Sequence, residues 1–420
     1  MTKDAATAGS VPEALKEPTK PVTRSWVSSV VLVNLGINVV IFAPINVLLG
    51  LQATAIDPGN KEAILSLVTA CGAAVALVAN PLFGALSDRT SSAIGRRSPW
   101  ILAGAILGVA SLLVLSGATS VGMMLLGWCA LQASINAAYS SITATIPDRV
   151  PQAKRGAIGG LAAMGQTVGI LLGAVVGFVI SGNIALGYLI CAAALAVSVI
   201  PYLLKPNDPT LPKEFRKPFA LGAFFKSFWI NPAKHQDFGW AWLTRLIMNV
   251  GNQMTIVYLL FYLTDVVHHP DPSGGVLVLT GTYAVMVIIS AVIFGPMSDR
   301  SGKRKIYVIF SSVVVSSSAL IIAIFQTFPG AIVGAAVLGF GFGAYLAVDF
   351  ALLTMVLPSA RERAKDMGVI NIANSLPQVI APALALFAVT VLGSYTALFV
   401  VAAVIGLVGA FLVRNIRSVP

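Results

Sequence analysis

Charge is scarce in this chain. Asp, Glu, Lys and Arg make up 10% of its 420 residues, against about 25% in soluble domains. So few charges leave too little polar surface to cover a water-soluble globule of this size. Cysteine is scarcer still, with only Cys71, Cys129 and Cys191. They stand far apart inside apolar runs, where a thiol acts as a small packing residue, so neither a disulfide framework nor a metal site is expected. Phosphate-loop and dinucleotide signatures are missing too. Gly339, Gly341 and Gly343 form a glycine-rich stretch, but no strand precedes it. We therefore expect no enzyme, no cofactor and no metal. Any flow the protein supports must be passive or driven by a gradient.

What the chain has instead is apolar length. Its hydrophobic share is 57% and its mean hydropathy is +0.88. A membrane-spanning helix needs about 20 mostly apolar residues. Twelve such runs are present. The first six are Trp26–Gly50, Ala63–Leu86, Trp100–Ser116, Val121–Ile146, Ala157–Ile180 and Ile184–Leu204. The second six are Phe238–Leu263, Val276–Met297, Ile306–Phe325, Ala331–Leu357, Gly368–Val391 and Tyr395–Val413. An all-α integral membrane fold follows, in contact with a lipid bilayer.

The basic residues orient it. Of the 27 Lys and Arg, all but Lys61 and Arg245 lie in the two tails or in the gaps after even-numbered runs. Positive residues stay on the cytoplasmic side, so both ends are expected in the cytoplasm of a cell that carries this protein in its inner or plasma membrane. The net charge of +11 is thereby a matter of topology, and no nucleic acid partner is expected. The polar opening segment, with Pro12, Pro18 and Pro21, reads as a cytoplasmic tail rather than a signal peptide. The expected organisation is a tail (1–24), a six-helix bundle (25–204), a cytoplasmic linker (205–237), a second six-helix bundle (238–413) and a short tail (414–420). Within the proline-rich linker, Phe219–Trp229 reads as a short amphipathic helix on the membrane surface.

The halves repeat at an offset of 211 residues. Gly84-Ala85-Leu86-Ser87-Asp88-Arg89 aligns with Gly295-Pro296-Met297-Ser298-Asp299-Arg300. The same offset maps Pro147 onto Pro358, Lys154 onto Lys365, Asn38 onto Asn249 and Asn34 onto Arg245. One offset serving separated regions implies two parallel, pseudo-symmetric bundles related by an axis along the membrane normal.

The Gly84–Arg89 segment, continued by Gly95-Arg96-Arg97, resembles the loop between helices 2 and 3 of major facilitator superfamily transporters, and Gly295–Arg300 with Gly302-Lys303-Arg304 resembles its second-half copy. Five residues separate Arg89 from Gly95, and Pro99-Trp100 follows. That spacing is similar to sucrose-type transporters and to glycoside–pentoside–hexuronide cation symporters. Phe238 to Arg245, Ala347 to Asp349, Leu357 to Ser359, Ala364 to Asp366 and Asn371 to Gln378 resemble a bacterial branch near those carriers. The resemblance implies the major facilitator fold and transport by alternating access. Physically, Asp88 and Asp299 sit at helix ends beside Arg89, Arg96, Arg97 and Arg300, where a carboxylate pairs with arginine or faces a helix N-terminus. Such contacts would hold the bundles together in one state and release in the other, whereas the plainer reading is topological charge on a tight loop.

Two ionisable residues lie within the apolar runs. Arg245 is about seven residues from the cytoplasmic end of run 7, and Asp349 about eight from that end of run 10, roughly 10–12 Å deep in each case. Burying a charge in a bilayer costs about 2.5–3.5 kcal/mol on insertion scales, so we expect the two to pair. Protonation of Asp349 would then couple solute to a proton; a static bridge and a sodium-coupled variant remain the alternatives. Amides supply donors and acceptors for a hydroxyl-rich solute. The expected solute-binding set is Asn38, Gln132, Asn136, Asn249, Gln253, Asn374 and Gln378, against the alternative that each only bridges helices. Gly165, Gly169, Gly173 and Gly177 mark a close-packing face.

Three functions fit. The first is a monomeric, proton-coupled symporter of a small polar solute, a sugar or glycoside. The second is a proton-coupled efflux carrier for an amphiphilic compound, which calls for an apolar, aromatic-rich cavity. The third is a non-transporting sensor, which calls for a substantial soluble domain alongside the apolar runs.

Overall fold

The computed structural model describes residues 18–180, 182–205, 208–215, 222, 235–355 and 363–417. Among these, the chain forms twelve long helices. The first half holds α1 (Arg24–Ile56), α2 (Lys61–Ser87), α3 (Ser98–Ser116), α4 (Val121–Arg149), α5 (Gln152–Val179) and α6 (Ile184–Leu204). The second holds α7 (Gln236–Asp265), α8 (Pro272–Ser301), α9 (Arg304–Ile324), α10 (Phe328–Met355), α11 (Arg363–Thr390) and α12 (Tyr395–Leu412). Ten are long and apolar enough to cross a membrane; among the described residues α5 and α11 carry shorter apolar stretches, Val168–Val179 and Ser375–Thr390. The protein is a multi-pass, all-helical membrane protein. An even number of crossings returns both ends to one face, the tail face; the other is the far face. The linker segment Phe219–Trp229 lies outside the described residues, Gly222 excepted.

Helices prevail because a bilayer offers backbone groups no partner, so each must be paired within its own segment. Polar residues at the run edges cap the helices. Ser120, Asn183, Asp271 and Ser394 accept from the amides of Met123, Leu186, Gly274 and Ala397 at 2.9–3.4 Å. Gly302, at φ 66°, closes α8 in the left-handed conformation that glycine adopts without strain. The helix α5 begins at Gln152, five residues before its apolar run opens at Ala157.

Packing repeats with the sequence. In the first half α2 and α3 pack on α4, α1 on α5 and α6, and α3 on α6; in the second α8 and α9 pack on α10, α7 on α11 and α12, and α9 on α12. The halves meet through α2 against α11 and α5 against α8, again matching pairs. One buried cluster contains residues of both halves, among them Leu48, Leu65, Phe261 and Leu398 at far-face helix ends. A second, including Phe238, Val308, Leu352 and Val413 at tail-face ends, draws on the second half alone.

The glycines of α5 face α1 closely. A Cβ on Gly173 would stand 2.7 Å from the Ala43 amide nitrogen, and one on Gly165 would stand 3.1 Å from the Val31 carbonyl. At Gly84 the surroundings differ: a Cβ there would meet only the Ser140 Cβ at 3.8 Å, and one on Gly295 the Ala347 Cβ at 4.0 Å, both ordinary contacts. These two motif glycines are therefore not required by the helix approach seen here. Gly173→Ala is expected to destabilise the protein by about 1–3 kcal/mol through overpacking, whereas Gly84→Ala should be neutral or stabilising by up to about 1 kcal/mol from helix propensity. Thermal unfolding of the two variants in detergent checks this; equal melting temperatures would count against it.

Candidate functional site

A cavity of about 510 Å³ lies between the halves, a size suited to a small molecule. Residues of α1, α5, α7, α8, α9, α10 and α11 line it. Its polar groups are concentrated on α7, with Arg245, Asn249, Asn252 and Gln253, and are joined by Asn46, Thr280 and Gln378. Phe42, Ile256, Leu279, Tyr283, Leu338 and Phe342 contribute apolar surface. The lining is richer in aromatic and aliphatic groups than the sequence led us to expect. That excess arises because α8 and α10, apolar all round, turn any face they like to the cavity.

Arg245 lines the cavity and forms an ion pair with Asp349 across 104 residues of sequence. Their side chains are 10% and 7% exposed. Two charges so sheltered persist only as a pair. The Arg245 carbonyl also accepts from Asn249 Nδ2 at 2.9 Å, which fixes that amide one turn along. Tyr345, buried one turn before Asp349, closes the other side.

The predicted amides divide. Asn249, Gln253 and Gln378 line the cavity, while Asn38, Gln132 and Asn136 do not line it. Asn38 is buried, donates to the Asn34 carbonyl at 2.7 Å and lies where α1 meets Gly169 of α5. Asn136 donates to the Gln132 carbonyl at 2.8 Å and accepts from Asn80 at 3.1 Å, bridging α4 to α2. Gln132 is buried beside Gly72. The side chains of Asn374 and Asp299 lie outside the described residues.

At the tail face the loop after α2 is clamped to α4. Arg97 pairs with Asp88, donates Nε to Asp148 at 2.9 Å and donates Nη1 to Ser87 Oγ. Arg96 pairs with Asp148 at 2.6 Å. Burial opposes the charge on Arg97, but Asp148 and Asp88 together hold its guanidinium above its ordinary range. Arg89 donates to the Ala85 carbonyl at 2.6 Å. Asp208, from the linker, accepts from the Arg97 and Ser98 amides at 2.6 and 2.8 Å and caps α3. These contacts join the first bundle to itself and to the linker, rather than bundle to bundle, because the end of α4 stands beside the loop. Arg300 is exposed. Sequence reasoning missed Asp148 and Asp208, which stand 51 and 111 residues from their partner; no local pattern announces either.

The far face holds a second unforeseen cluster. Lys61 at the start of α2 pairs with Asp265 at the end of α7, 2.7 Å away. Tyr395, which opens α12, donates its hydroxyl toward both Glu62 Oε1 and Asp265 Oδ2 at 2.9 Å. Tyr258 donates to the Glu62 carbonyl at 3.0 Å. Lys61 also lies 5.1 Å over the Phe261 ring. One helix of the first half is thus bound to two of the second. The signal available in sequence was Lys61 itself, one of the two basic residues that broke the charge partition.

The family model described as Major Facilitator Superfamily matches residues 27–280 and 268–420. A sequence comparison with curated proteins returns no match. Among solved structures the chain is similar to a mutant of peptide transporter POT, with 15% identity, a TM-score of 0.76, and 98% of this chain and 100% of that one covered. It is similar to a mutant of nucleoside transporter NupG, with 13% identity, a TM-score of 0.74, and 93% and 99% covered. A bacterial homolog of the human lysosomal transporter Spinster, in an inward-facing and unoccupied conformation, gives 15% identity, a TM-score of 0.70, and 95% and 100% covered.

Proposed function

The chain belongs to the major facilitator superfamily, and on that premise we propose that it is a secondary active transporter carrying a sugar or glycoside together with a proton by alternating access. The observation that carries this reading is the sheltered Arg245–Asp349 pair at the wall of a solute-sized cavity. A proton on Asp349 cancels the pair and alters the free energy of one conformation relative to the other, which is what coupling requires. The amides of α7 and α11 offer donors and acceptors to hydroxyls. On the same cavity wall, Tyr283 and Phe342, stacked at 6.3 Å, suit the apolar face of a sugar ring. The resemblance to sucrose-type and glycoside–pentoside–hexuronide carriers supports the same class. Peptide and nucleoside transporters of this fold, to which the chain is similar, also name small polar cargoes.

With Lys and Arg gathered at the tail face, that face is cytoplasmic. The Lys61–Asp265–Tyr395 cluster then closes the outer end, and the state seen here faces inward. The apolar walls favour one rival, an efflux carrier for an amphiphilic compound. Proteoliposomes loaded with a pH dye decide between them. Adding mono- and disaccharides outside should acidify the lumen with at least one sugar. Silence with all sugars, but a response to amphiphilic compounds under a preset proton gradient, would replace the first reading with the second.

A further inference from the structure

Two helices break at matching points beside the cavity. In α1 the backbone changes to a π turn over Pro44–Leu48, closed by the Leu49 amide on the Pro44 carbonyl. Pro44 has no N–H to continue the α ladder, so the helix widens there. In α7 the helix is interrupted at Tyr258, with φ −110° and ψ 19°. The 211-residue offset maps Val47 onto Tyr258, so the breaks are one feature copied in both halves. Residues at or beside the breaks line the cavity: Phe42, Ile45 and Asn46 from α1, Thr255, Ile256 and Leu259 from α7.

Two of the cavity amides are left incomplete. Asn46 Nδ2 and Asn252 Oδ1 are shielded from solvent and have no hydrogen-bond partner in the protein. Asn252 is 6% exposed as a whole residue. Buried polar atoms are seldom left so, and an exception marks a place that something else completes. The charged side chain lining this cavity among the described residues is Arg245, already paired with Asp349. It stands seven residues nearer the tail face than Asn252, about 10 Å along the helix. No free charge therefore attends the two amides.

We propose that Asn46 and Asn252 form a recognition subsite at the paired helix breaks, one that takes a neutral hydroxyl or amide group of the solute. A hydroxyl both donates and accepts, so hydroxyl groups of the solute can satisfy the orphaned donor and the orphaned acceptor alike. The carboxylate or ammonium of a charged solute would find no counterion there. The subsite rests on the transport reading above and narrows it to solutes whose leading end is neutral and hydrogen-bonding. It lies deeper than the ion pair, against the closed far face, so the solute reaches it after passing Arg245.

The test uses the purified full chain in nanodiscs, with calorimetric binding of a methyl glycoside, a disaccharide and a nucleoside as neutral probes and a dipeptide as charged control. At least one neutral probe should bind the unmodified protein. Asn46→Leu and Asn252→Leu should each weaken that binding on the order of tenfold, the worth of a buried hydrogen bond. The melting temperature without probe should stay level or rise in both, because an apolar group replaces an unsatisfied polar one. A purely structural amide would lower it. Unchanged affinity in both variants overturns the subsite and leaves transport untouched. Binding of the dipeptide alone, or of no probe, overturns it as well. Neutral probes that bind but never cross a proteoliposome membrane would leave the subsite standing and remove the transport reading.

Discussion

Arg245→Ala is expected to destabilise the protein by about 3–5 kcal/mol, the cost of leaving a buried carboxylate without its partner. Asp349 is 7% exposed at the side chain, so little solvent screens its charge. The single variant Asp349→Asn should also destabilise, by stranding the guanidinium. The double variant Arg245→Gln with Asp349→Asn should recover most of the loss, since two neutral amides can bond to each other. Thermal unfolding of the unmodified protein, Arg245→Gln, Asp349→Asn and the double variant completes a cycle, and additivity of its two single effects would show that the pair is not a unit. Transport sharpens the test. One proton moved across 100 mV is worth about 2.3 kcal/mol, which sustains roughly a 50-fold solute gradient at about 1.4 kcal/mol per decade. Asp349→Asn should abolish that accumulation and retain exchange of solute down its gradient. Full accumulation by this variant would leave Arg245–Asp349 as a static brace.

Asp265→Ala should open the far face. Asp265 receives Lys61 from the first half at 2.7 Å and, within the second half, the Tyr395 hydroxyl at 2.9 Å, so its loss breaks the Lys61 ion pair between the halves and removes one anchor of the hydroxyl that also reaches Glu62. Hydrogen bonds to charged groups contribute about 1.5–3 kcal/mol each. Removing them should shift the balance of conformations on the order of 10- to 100-fold toward the far-face-open state. Tyr395→Phe removes the hydroxyl and leaves the ion pair, so its shift should be smaller. Spin labels at exposed Pro58 and His268, in opposite halves, would report the separation. An unchanged distance distribution in Asp265→Ala would show that the apolar cluster around Phe261 and Leu398 closes this end without help.

The parts of this protein that sequence reveals are those imposed by the bilayer. The twelve apolar runs match α1 to α12 because any spanning segment must be long, apolar and helical. The 211-residue repeat reappears as matching helix pairs, since equivalent sequences fold alike. Arg245 and Asp349 stood out because charge is rare in such runs, and their equal depth pointed to contact.

The orientation of the amides was not legible. Asn38 and Asn249 are related by the repeat, yet Asn249 faces the cavity while Asn38 is buried where α1 meets the glycine face of α5. A membrane helix that is apolar all round has no polar stripe to say which side is inward, so the docking of the two halves decides. Docking also brings Lys61 to Asp265 across 204 residues and Tyr395 to Glu62 across 333. By itself the sequence determined the number of crossings, the twofold plan and the pairing of Arg245 with Asp349, because each follows from the cost of placing polar groups in lipid. The cavity wall, the far-face latch and the paired helix breaks were decided only in three dimensions, where contacts between helices distant in sequence choose which polar groups meet each other and which are left to meet the solute.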